Sequence, residues 1–272
     1  MGDCIKRHIR GSVTGFSISG PNSAEYSPLV HSLLSGKLPE GWEWVESSKN
    51  SLVARRSSPS PIYYKEYVDR SAFERIKALF RGDRCLRAIK QGDLLQQKGF
   101  RSPSVLCWGG QGRRHFVITE GVPSVGLYDF LLKHRCSPAA LQSLHTKRRI
   151  IAELGREVGR LHSHGICHGD LRLNNILIEQ TGTGVTFHFI DNERNRFLKT
   201  ISRRLVEKNL VQLNMVSSLY LTRQDRLRFF RAYLTAYPRF SPREAKLLAL
   251  RVHRKTLKRM AKRPQQYEPS SK

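Results

Sequence analysis

The sequence has no long apolar segment and few acidic residues. No apolar run approaches the ~20 residues that a membrane-spanning helix needs, and the first ten residues lack the apolar stretch of a secretory signal. Asp and Glu number 22 against 48 Lys and Arg, which gives a net charge of +26. This charge predicts attraction to polyanions, such as nucleic acid, an anionic membrane or an acidic substrate, and does not indicate a fold.

The cysteines do not form a pattern typical of a disulfide framework, because their number is odd and their spacing irregular. They are Cys4, Cys85, Cys107, Cys136 and Cys167. We therefore expect reduced thiols in a cytoplasmic protein. A local group of His162, His164, Cys167 and His168 has no second ligand pair at zinc spacing, so we interpret it as polar residues around a loop.

A polar loop between apolar segments is the most informative stretch. This polar loop, residues 168–175, reads HGDLRLNN, and a later apolar run ends in Asp191. Phosphoryl transfer from ATP needs a carboxylate at the attacking hydroxyl and oxygen ligands for Mg²⁺. Asp170, Asn175 and Asp191 supply these groups in the chain order that kinases use. The pattern predicts Asp170 as catalytic base and Asn175 and Asp191 as ligands of Mg²⁺; the alternative is that they are turn and cap residues.

The segments around the polar loop fit this interpretation. Residues 150–164 carry apolar side chains at three-to-four spacing, which predicts a helix ending at Gly165. Two apolar β-type runs follow, around a hairpin-like turn at Thr181–Gly184. The motif requires this order of elements: helix, loop, strand, turn, strand and then Asp.

An upstream region predicts an antiparallel sheet. Alternation over Trp42–Glu46, Ser51–Arg55 and Ile62–Val68 indicates three strands, with Lys65 at the centre of the third. A lysine there would contact the α and β phosphates of ATP. The first turn is not glycine-rich. We expect its polar residues to offer backbone N–H groups and side-chain donors to phosphate; they are Ser48, Lys49 and Asn50.

A kinase also pairs the strand lysine with a helix acid. Helices are predicted over Ser71–Phe80 and Cys85–Lys98. The candidates on them are Glu74, which is equally well explained as a capping-box acid, Asp93, and Gln91 as a neutral substitute.

Farther along, two strands are predicted, Val105–Trp108 and His115–Glu120, around a turn at Gly109–Gly112. The chain then passes through Val122 in a predicted hinge between lobes, and we expect the backbone from Glu120 to Val122 to bind the adenine edge.

These elements predict an α+β, two-lobed, protein-kinase-like fold with an antiparallel N-lobe sheet and a mainly helical C-lobe. We expect residues 1–40 to be a mobile or loosely packed lead-in with one short apolar helix candidate, Leu29–Leu34. The N-lobe is predicted over 41–121, the C-lobe over 122–262, and a disordered basic tail over 263–272.

The chain resembles the bacterial lipopolysaccharide core kinases of the WaaP and Kdo-kinase type over about residues 42–260. The similar segments are Tyr64-Lys65, Val117–Glu120, Leu127–Asp129, Glu153–Gly165, His168–Asn175, Phe189–Asp191 with Arg194, Lys208–Leu210, Ser217-Ser218, Leu221–Asp225 and Phe229.

The resemblance implies phosphorylation of a heptose or Kdo hydroxyl of the lipopolysaccharide inner core, dependent on ATP and Mg²⁺. Asp170 would be the base, Lys65 the phosphate-binding lysine, and Arg172 would steady the transferred phosphate or an acidic sugar. Two positions depart from the family pattern: Arg87-Ala88 replaces Arg-Glu, and Gly169 replaces Arg. His-Gly-Asp also occurs in aminoglycoside and choline phosphotransferases. A small-molecule kinase, an atypical protein kinase and an inactive scaffold therefore stay open.

The last predicted helix, Pro242–Lys262, carries a basic face. With the overall charge, it favours a lipopolysaccharide core glycolipid and the anionic inner-membrane surface as partners. Nucleic acid is disfavoured, because basic and aromatic residues do not interleave as they do in single-strand binding platforms. We expect a cytoplasmic protein at the cytoplasmic face of the inner membrane.

Overall fold

The computed structural model describes residues 17–47, 51–68, 83–111, 114–133, 141–182 and 184–262. The chain folds into two compact units. The first comprises the chain up to Asp93 together with Pro103–Pro123, and the second comprises Leu94–Ser102 and the chain from Ser124 onward. The predicted α+β class is confirmed, with strands concentrated in the first unit and helices in the second.

The first unit contains a six-stranded antiparallel sheet in the order β1-β5-β6-β4-β3-β2. Its strands are β1 (Ser17–Ser19), β2 (Trp42–Val45), β3 (Ser51–Arg56), β4 (Ile62–Val68), β5 (Val105–Gln111) and β6 (Arg114–Glu120). Its helices are α1 (Ser23–Leu34) and most of α2 (Arg84–Gln97). The three strands predicted over residues 42–68 are confirmed to within a residue.

Strand β5 is longer than predicted, because the glycines interpreted as a turn continue it. Gly109 pairs with Phe116 of β6 on one side and Ile18 of β1 on the other. A Cβ on Gly109 would lie 1.9 Å from the backbone oxygen of Ser17. Glycine therefore permits β1 to approach β5 closely enough to pair with it.

The prediction of a loosely packed lead-in was wrong for its described part, although the helix candidate Leu29–Leu34 forms the second half of α1. From Ser17 onward the chain contributes β1 and α1 to the first unit, and α1 buries Val30, Leu33 and Leu34 against the sheet. These side chains and Tyr26 lie at three-to-four spacing, which is the stripe of an amphipathic helix. The Ser- and Pro-rich composition obscured it. The predicted residues 1–16, the turn at 48–50, the helix at 71–80 and the tail at 263–272 lie outside the described residues.

A buried ion pair joins α1 to the sheet. Glu66 on β4 is fully buried and accepts a hydrogen bond from Tyr64 Oη at 2.9 Å. Arg114 donates to both Glu66 oxygens, from Nε at 2.5 Å and Nη2 at 3.2 Å. Arg114 Nη2 also donates to the carbonyl oxygen of Leu34, at the end of α1, at 2.8 Å. The charge of Glu66 is thus compensated inside the unit, in the bidentate geometry that arginine favours.

The second unit is mainly helical. Its helices are α3 (Leu127–Lys133), α4 (Leu141–Ser163), α5 (Arg203–Asn214), α6 (Arg223–Ala236) and α7 (Pro242–Ala261). Its short strands are β7 (Val125–Gly126), β8 (Ile166–Cys167), β9 (Ile176–Thr181), β10 (Gly184–Phe189) and β11 (Arg196–Phe197). They form two small antiparallel sheets, β10-β9-β7 and β11-β8.

Helix α4 is the centre of this unit and packs along α6. Its predicted apolar stripe is confirmed, since Ile151, Leu154, Val158 and Leu161 are all buried. The helix starts nine residues earlier than the predicted Ile150, at Leu141. None of the helices in the described ranges combines the length and apolar character needed to cross a bilayer.

We expect Arg114→Met to lower the free energy of unfolding by about 3–5 kcal/mol, because Glu66 would remain buried without its counter-charge. Arg55→Met is the matched control, since Arg55 and its partner Glu43 are both exposed. An exposed pair contributes less than about 1 kcal/mol. Urea unfolding of both variants checks this expectation, and equal effects would contradict it.

Candidate active site

The polar loop begins with a buried histidine that joins two parts of the site. His168 Nδ1 accepts a hydrogen bond from the backbone N–H of Asp170 at 3.1 Å. Its Nε2 then donates to the carbonyl oxygen of Ile190 at 3.2 Å. Burial lowers the pKa of His168 to about 4, and the nearby Asp191 charge opposes this effect only in part. The ring is therefore neutral at pH 7, as one accepting and one donating nitrogen require.

Three side chains of α5 hold the polar loop from one side. Lys208 Nζ donates to the carbonyl oxygen of Gly169 at 2.8 Å, and Asn209 Nδ2 donates to that of His168 at 2.7 Å. Gln212 Nε2 donates to Asp170 Oδ1 at 2.9 Å. The oxygen of Gln212 accepts from Asn209 Nδ2 at 3.0 Å, so the orientation of the Gln212 amide is fixed. The Asp170 carboxylate is thereby positioned by a residue 42 positions away.

Asn209 connects this arrangement to the core. Its oxygen faces His162 Nε2 at 3.2 Å, and His162 Nδ1 lies 2.9 Å from the hydroxyl of Tyr233 on α6. Burial lowers the pKa of His162 to about 4, with the hydrogen bond to Asn209 opposing the shift. A neutral ring that donates to Asn209 and accepts from Tyr233 satisfies both contacts. The network therefore runs from α6 through α4 and α5 to Asp170.

Asn175 and Asp191 lie at adjacent ends of the β9–β10 hairpin. Phe189 pairs with Ile176, and the N–H of Ile190 donates to the carbonyl oxygen of Asn175 at 3.0 Å. Asn175 Nδ2 donates to the carbonyl oxygen of Asp170 at 2.9 Å, which leaves Oδ1 as its atom for a ligand. The fold therefore brings together Asp170, Asn175 and Asp191 within the second unit.

Asp191 has a left-handed backbone, with φ 61° and ψ 46°. Among the described residues other than glycine, only Asp191 has a positive φ. Aspartate adopts this conformation more readily than most residues, and such conformations cluster at functional sites. The geometry thus singles out the predicted metal ligand at the strand end.

The segment after Asp191 is joined to the polar loop by asparagines. Asn192 Nδ2 donates to the carbonyl oxygen of Phe189 at 2.9 Å, and its oxygen accepts from Asn195 Nδ2 at 2.9 Å. The oxygen of Asn195 accepts from the N–H of Gly169 at 3.0 Å. A Cβ at Gly169 would lie 2.2 Å from the Cβ of Arg194. This close contact explains why glycine stands where the kinase motif has arginine.

Arg172 lies next to Asp170 and is half exposed. Its Nε is 3.0 Å from Asp170 Oδ1, the same oxygen that Gln212 contacts. An exposed pair of this kind is weak, so the guanidinium can exchange this contact for a ligand. Asp170 Oδ1 therefore has two donors, and Oδ2 is the oxygen that remains for a substrate hydroxyl.

The other predicted residues lie in the first unit. Lys65 is half-buried on β4 between Val53 and Val117, with Nζ 5.1 Å from the centre of the Tyr67 ring. The N–H of Glu120 donates to the carbonyl oxygen of Ser104 at 2.9 Å, and Val122 follows just before the chain passes to the second unit. Ser48, Lys49 and Asn50 lie outside the described residues.

The candidates for the acid partner of Lys65 differ in burial. Asp93 is exposed on α2, whereas Gln91 is half-buried and its Oε1 is a buried atom without a hydrogen-bond partner. Glu74 lies outside the described residues. Ala88, where the family pattern has Glu, packs against the small cluster of Tyr67, Cys85 and Val117. Of the two described candidates, only Gln91 thus has a buried side-chain oxygen.

An apolar cavity of about 260 Å³ lies elsewhere in the second unit, among α3 to α7. Its lining includes Leu173 at the end of the polar loop but none of the predicted site residues. Its two charged residues already have partners: Asp225 contacts Lys147, and Arg226 donates to the carbonyl oxygens of Asn214 and Val216. The cavity therefore lacks the groups that phosphoryl transfer requires.

Within the described ranges, no group of three or more His, Cys, Asp or Glu side chains could hold a metal. The pair of Asn175 and Asp191 has a different character, because it offers amide and carboxylate oxygens. Mg²⁺ is commonly bound by one or two carboxylates together with substrate phosphates and water. The residues present therefore fit Mg²⁺ that arrives with a nucleotide.

Comparison with known proteins gives consistent results. The model of the lipopolysaccharide kinase (Kdo/WaaP) family matches residues 84–233. The lipopolysaccharide core heptose(I) kinase WaaP of Escherichia coli (strain K12) is 29% identical over 127 residues, 44% of this chain and 47% of that protein. The KEOPS complex subunit Bud32 of Pyrococcus abyssi (strain GE5 / Orsay) is 31% identical over 77 residues, 28% of this chain and 33% of that protein.

A solved structure of WaaP in complex with acyl carrier protein has a similar fold. The TM-score is 0.59 at 21% identity, over 89% of this chain and 98% of that chain. The predicted protein-kinase-like fold is thereby confirmed. The sequence matches to the two curated relatives each cover less than half of the relative's length.

We expect the free energy of unfolding to fall between pH 7 and pH 5. His162 and His168 are neutral when folded, with pKa values of about 4. In the unfolded chain the pKa of each histidine is about 6.5, so protonation favours the unfolded state. The free energy of unfolding therefore decreases as the pH falls from about 6.5 toward 4. The expected loss by pH 5 is about 2 kcal/mol for each histidine.

Urea unfolding at the two pH values measures this loss. His162→Gln keeps a donor for Asn209 but does not titrate, and it should show about half of the pH dependence. Equal free energies of unfolding at pH 7 and pH 5 for the unsubstituted protein would contradict the expectation.

Proposed function

Because the chain belongs to the lipopolysaccharide kinase (Kdo/WaaP) family, we propose that it transfers the γ-phosphoryl group of ATP to a hydroxyl of heptose or Kdo in the lipopolysaccharide inner core. One observation carries the proposal: the Asp170 carboxylate is held by Gln212, and the loop that carries it is joined to Asn175 and, through the β9–β10 hairpin, to Asp191. This arrangement supplies the proton acceptor and the metal ligands of phosphoryl transfer in one place.

Asp170 acts on the acceptor hydroxyl. Its Oδ1 is held by Gln212 Nε2 at 2.9 Å, and Oδ2 would face the acceptor. Oδ2 accepts a hydrogen bond from the sugar hydroxyl, orients its lone pair and takes its proton as the phosphoryl group moves in line. The buried amides of α5 hold the carboxylate before substrate binds, so that no reorientation is needed during the reaction.

Asn175 Oδ1 and the Asp191 carboxylate would hold Mg²⁺, which neutralises charge on the phosphates when it is bound. Lys65 would contact the α and β phosphates, and the turn residues Ser48, Lys49 and Asn50 are proposed as further phosphate donors. The backbone at Glu120 and Val122 would bind the adenine edge. Arg172 would leave Asp170 for the transferred phosphate or for an acidic sugar such as Kdo.

We place the reaction at the cytoplasmic face of the inner membrane, where a lipid-linked acceptor would lie. The rival acceptors are a soluble small molecule and a protein hydroxyl, and an inactive scaffold is the alternative from another class. Transfer of label from γ-labelled ATP with Mg²⁺, offered together with dephosphorylated core lipopolysaccharide, free Kdo and a generic protein substrate, separates them. Label in the glycolipid supports the proposal, and label only in protein, in soluble sugar or nowhere overturns it.

Asp170→Ala should lower kcat at least about a hundredfold, because it removes the proton acceptor. ATP binding should change by less than about twofold, since the proposed ATP ligands are other residues. Steady-state kinetics and calorimetric titration with ATP and Mg²⁺ measure the two quantities. Asp129→Ala, a carboxylate change on α3 outside the polar loop, is the control, and turnover by Asp170→Ala close to that of the control would refute the role.

Gln212→Met should lower kcat about ten- to a hundredfold while leaving the KM for ATP nearly unchanged, because Gln212 acts only by positioning Asp170. The thioether has similar volume but cannot donate to the carboxylate. Gln97→Met, on the exposed end of α2, is the matched control. A parallel rise in the KM for ATP, with kcat unchanged, would contradict a positioning role.

A further inference from the structure

The outward face of α7 carries leucines that stay exposed in the part of the chain that the structure describes. Its opposite face packs on α5 and buries Ala245, Leu248, Val252 and Thr256. We call Leu247, Leu250 and Leu257 the leucine stripe; they are 44%, 57% and 55% exposed. With Arg254 they follow one line along the helix at three-, four- and three-residue steps. Single exposed leucines are ordinary, but a line of them on one helix indicates an interaction surface.

Cations border the leucine stripe on both sides. At 100° per residue, Lys246 lies along one border, next to the polar ring of His253, and Arg251 and Lys258 lie along the other, all exposed. The only acid on α7 is Glu244, which caps its first turn and also bonds Arg203. Lys255 reaches inward to Glu207 of α5 and so belongs to the packed side. The outward face therefore has a mainly apolar middle, interrupted by Arg254, and cationic edges.

We propose that this face of α7 docks on an anionic phospholipid bilayer, with the leucine stripe in the interface and the bordering cations on the headgroups. The inference rests on the proposed function in one respect: a lipid-linked acceptor requires a membrane-bound enzyme. A helix with a leucine line between basic borders is the pattern of a helix that lies in the plane of a membrane. Anionic headgroups complement the borders and the net charge of +26.

Other occupants fit this face less well. A second copy would bring two cationic faces together, and like charges in contact oppose association. Nucleic acid would pair with the cations but would leave the leucines in water, because its phosphate backbone offers them no apolar surface. A bilayer satisfies both the stripe and its borders. Binding to nucleic acid or to another protein remains as an outcome of the test.

Flotation with vesicles tests the proposal at about 0.15 M salt. The full chain should float with vesicles of phosphatidylethanolamine and phosphatidylglycerol but not with phosphatidylcholine alone. The triple variant Leu247→Gln, Leu250→Gln and Leu257→Gln should bind the anionic vesicles at least about tenfold more weakly. The double variant Leu86→Gln and Leu219→Gln is the control, because those leucines are 55% and 53% exposed but lie outside α7.

The cationic borders are tested by equal changes of charge. Arg251→Gln with Lys258→Gln should weaken vesicle binding about tenfold, because each cation at the headgroups contributes separately. Lys37→Gln with Lys98→Gln removes the same charge from exposed positions off α7 and should change binding by less than about twofold. If the two double variants lost vesicle binding equally, only the overall charge of the protein would matter, and the proposal would be overturned.

Insertion is tested by fluorescence. Leu250→Trp should show a blue-shifted emission when anionic vesicles are added, whereas Leu86→Trp should not. The native tryptophans, Trp42, Trp44 and Trp108, are the same in both variants, so the difference reports the new side chain. No difference between the two variants, or binding to RNA in place of vesicles, would overturn the proposal.

The experiments can refute the proposed docking face and the proposed reaction independently. All α7 variants should still transfer phosphate to acceptor dispersed in detergent, because none of the substituted residues belongs to the polar loop. Loss of vesicle binding with normal transfer to dispersed acceptor supports the docking face. Normal vesicle binding by the leucine variant refutes the docking face and leaves the proposed function intact. Vesicle binding without transfer to any acceptor refutes the proposed function instead.

Discussion

The hydrogen bonds from the α5 amides to the polar loop are the constraint on which the candidate site depends. A loop of eight residues between two strands has little intrinsic order, and its carbonyl groups need partners once they are buried. Asn209 and Lys208 provide these partners for His168 and Gly169, and Gln212 extends the contact to the Asp170 carboxylate. The chemistry of the site is therefore set by a helix that follows the loop by about thirty residues.

His162 and His168 show how charge is distributed within the protein. His162 and His168 are kept neutral by burial and serve as paired donors and acceptors. The excess of cations lies mainly on the surface, as on α7. Under the proposed function, this distribution would attract a phosphorylated glycolipid without placing uncompensated positive charge in the core.

Local sequence pattern was sufficient to predict the second-unit part of the site. Asp170, Asn175 and Asp191 lie on one loop and one hairpin, so their proximity follows from neighbouring elements. The roles of Asn209 and Gln212 were not predicted, because they depend on packing between distant segments. Their spacing on one face of a helix, with Lys208, was the available signal.

In the first unit, too, packing between distant segments was not predicted from local sequence. The three-strand meander and the place of Lys65 on it were predicted from alternation. In the Ser- and Pro-rich segment before them, β1 was missed and α1 was predicted only over its second half. Strand β1 depends on Gly109 in a strand about ninety residues later, a close approach that no local pattern reveals. Glycine at 169 likewise looked like a departure from a motif until its contact with Arg194 was visible.

The central claim is that Asp170 takes the acceptor proton from a position fixed by Gln212. A double-mutant cycle on the single-turnover rate of phosphoryl transfer tests it most directly. If Gln212 acts only through Asp170, Gln212→Met lowers the transfer rate of the otherwise unsubstituted protein. Added to Asp170→Ala, the same substitution lowers the rate no further. If the two substitutions slow transfer by factors that multiply, Gln212 acts independently of the carboxylate, and the account of the site is wrong.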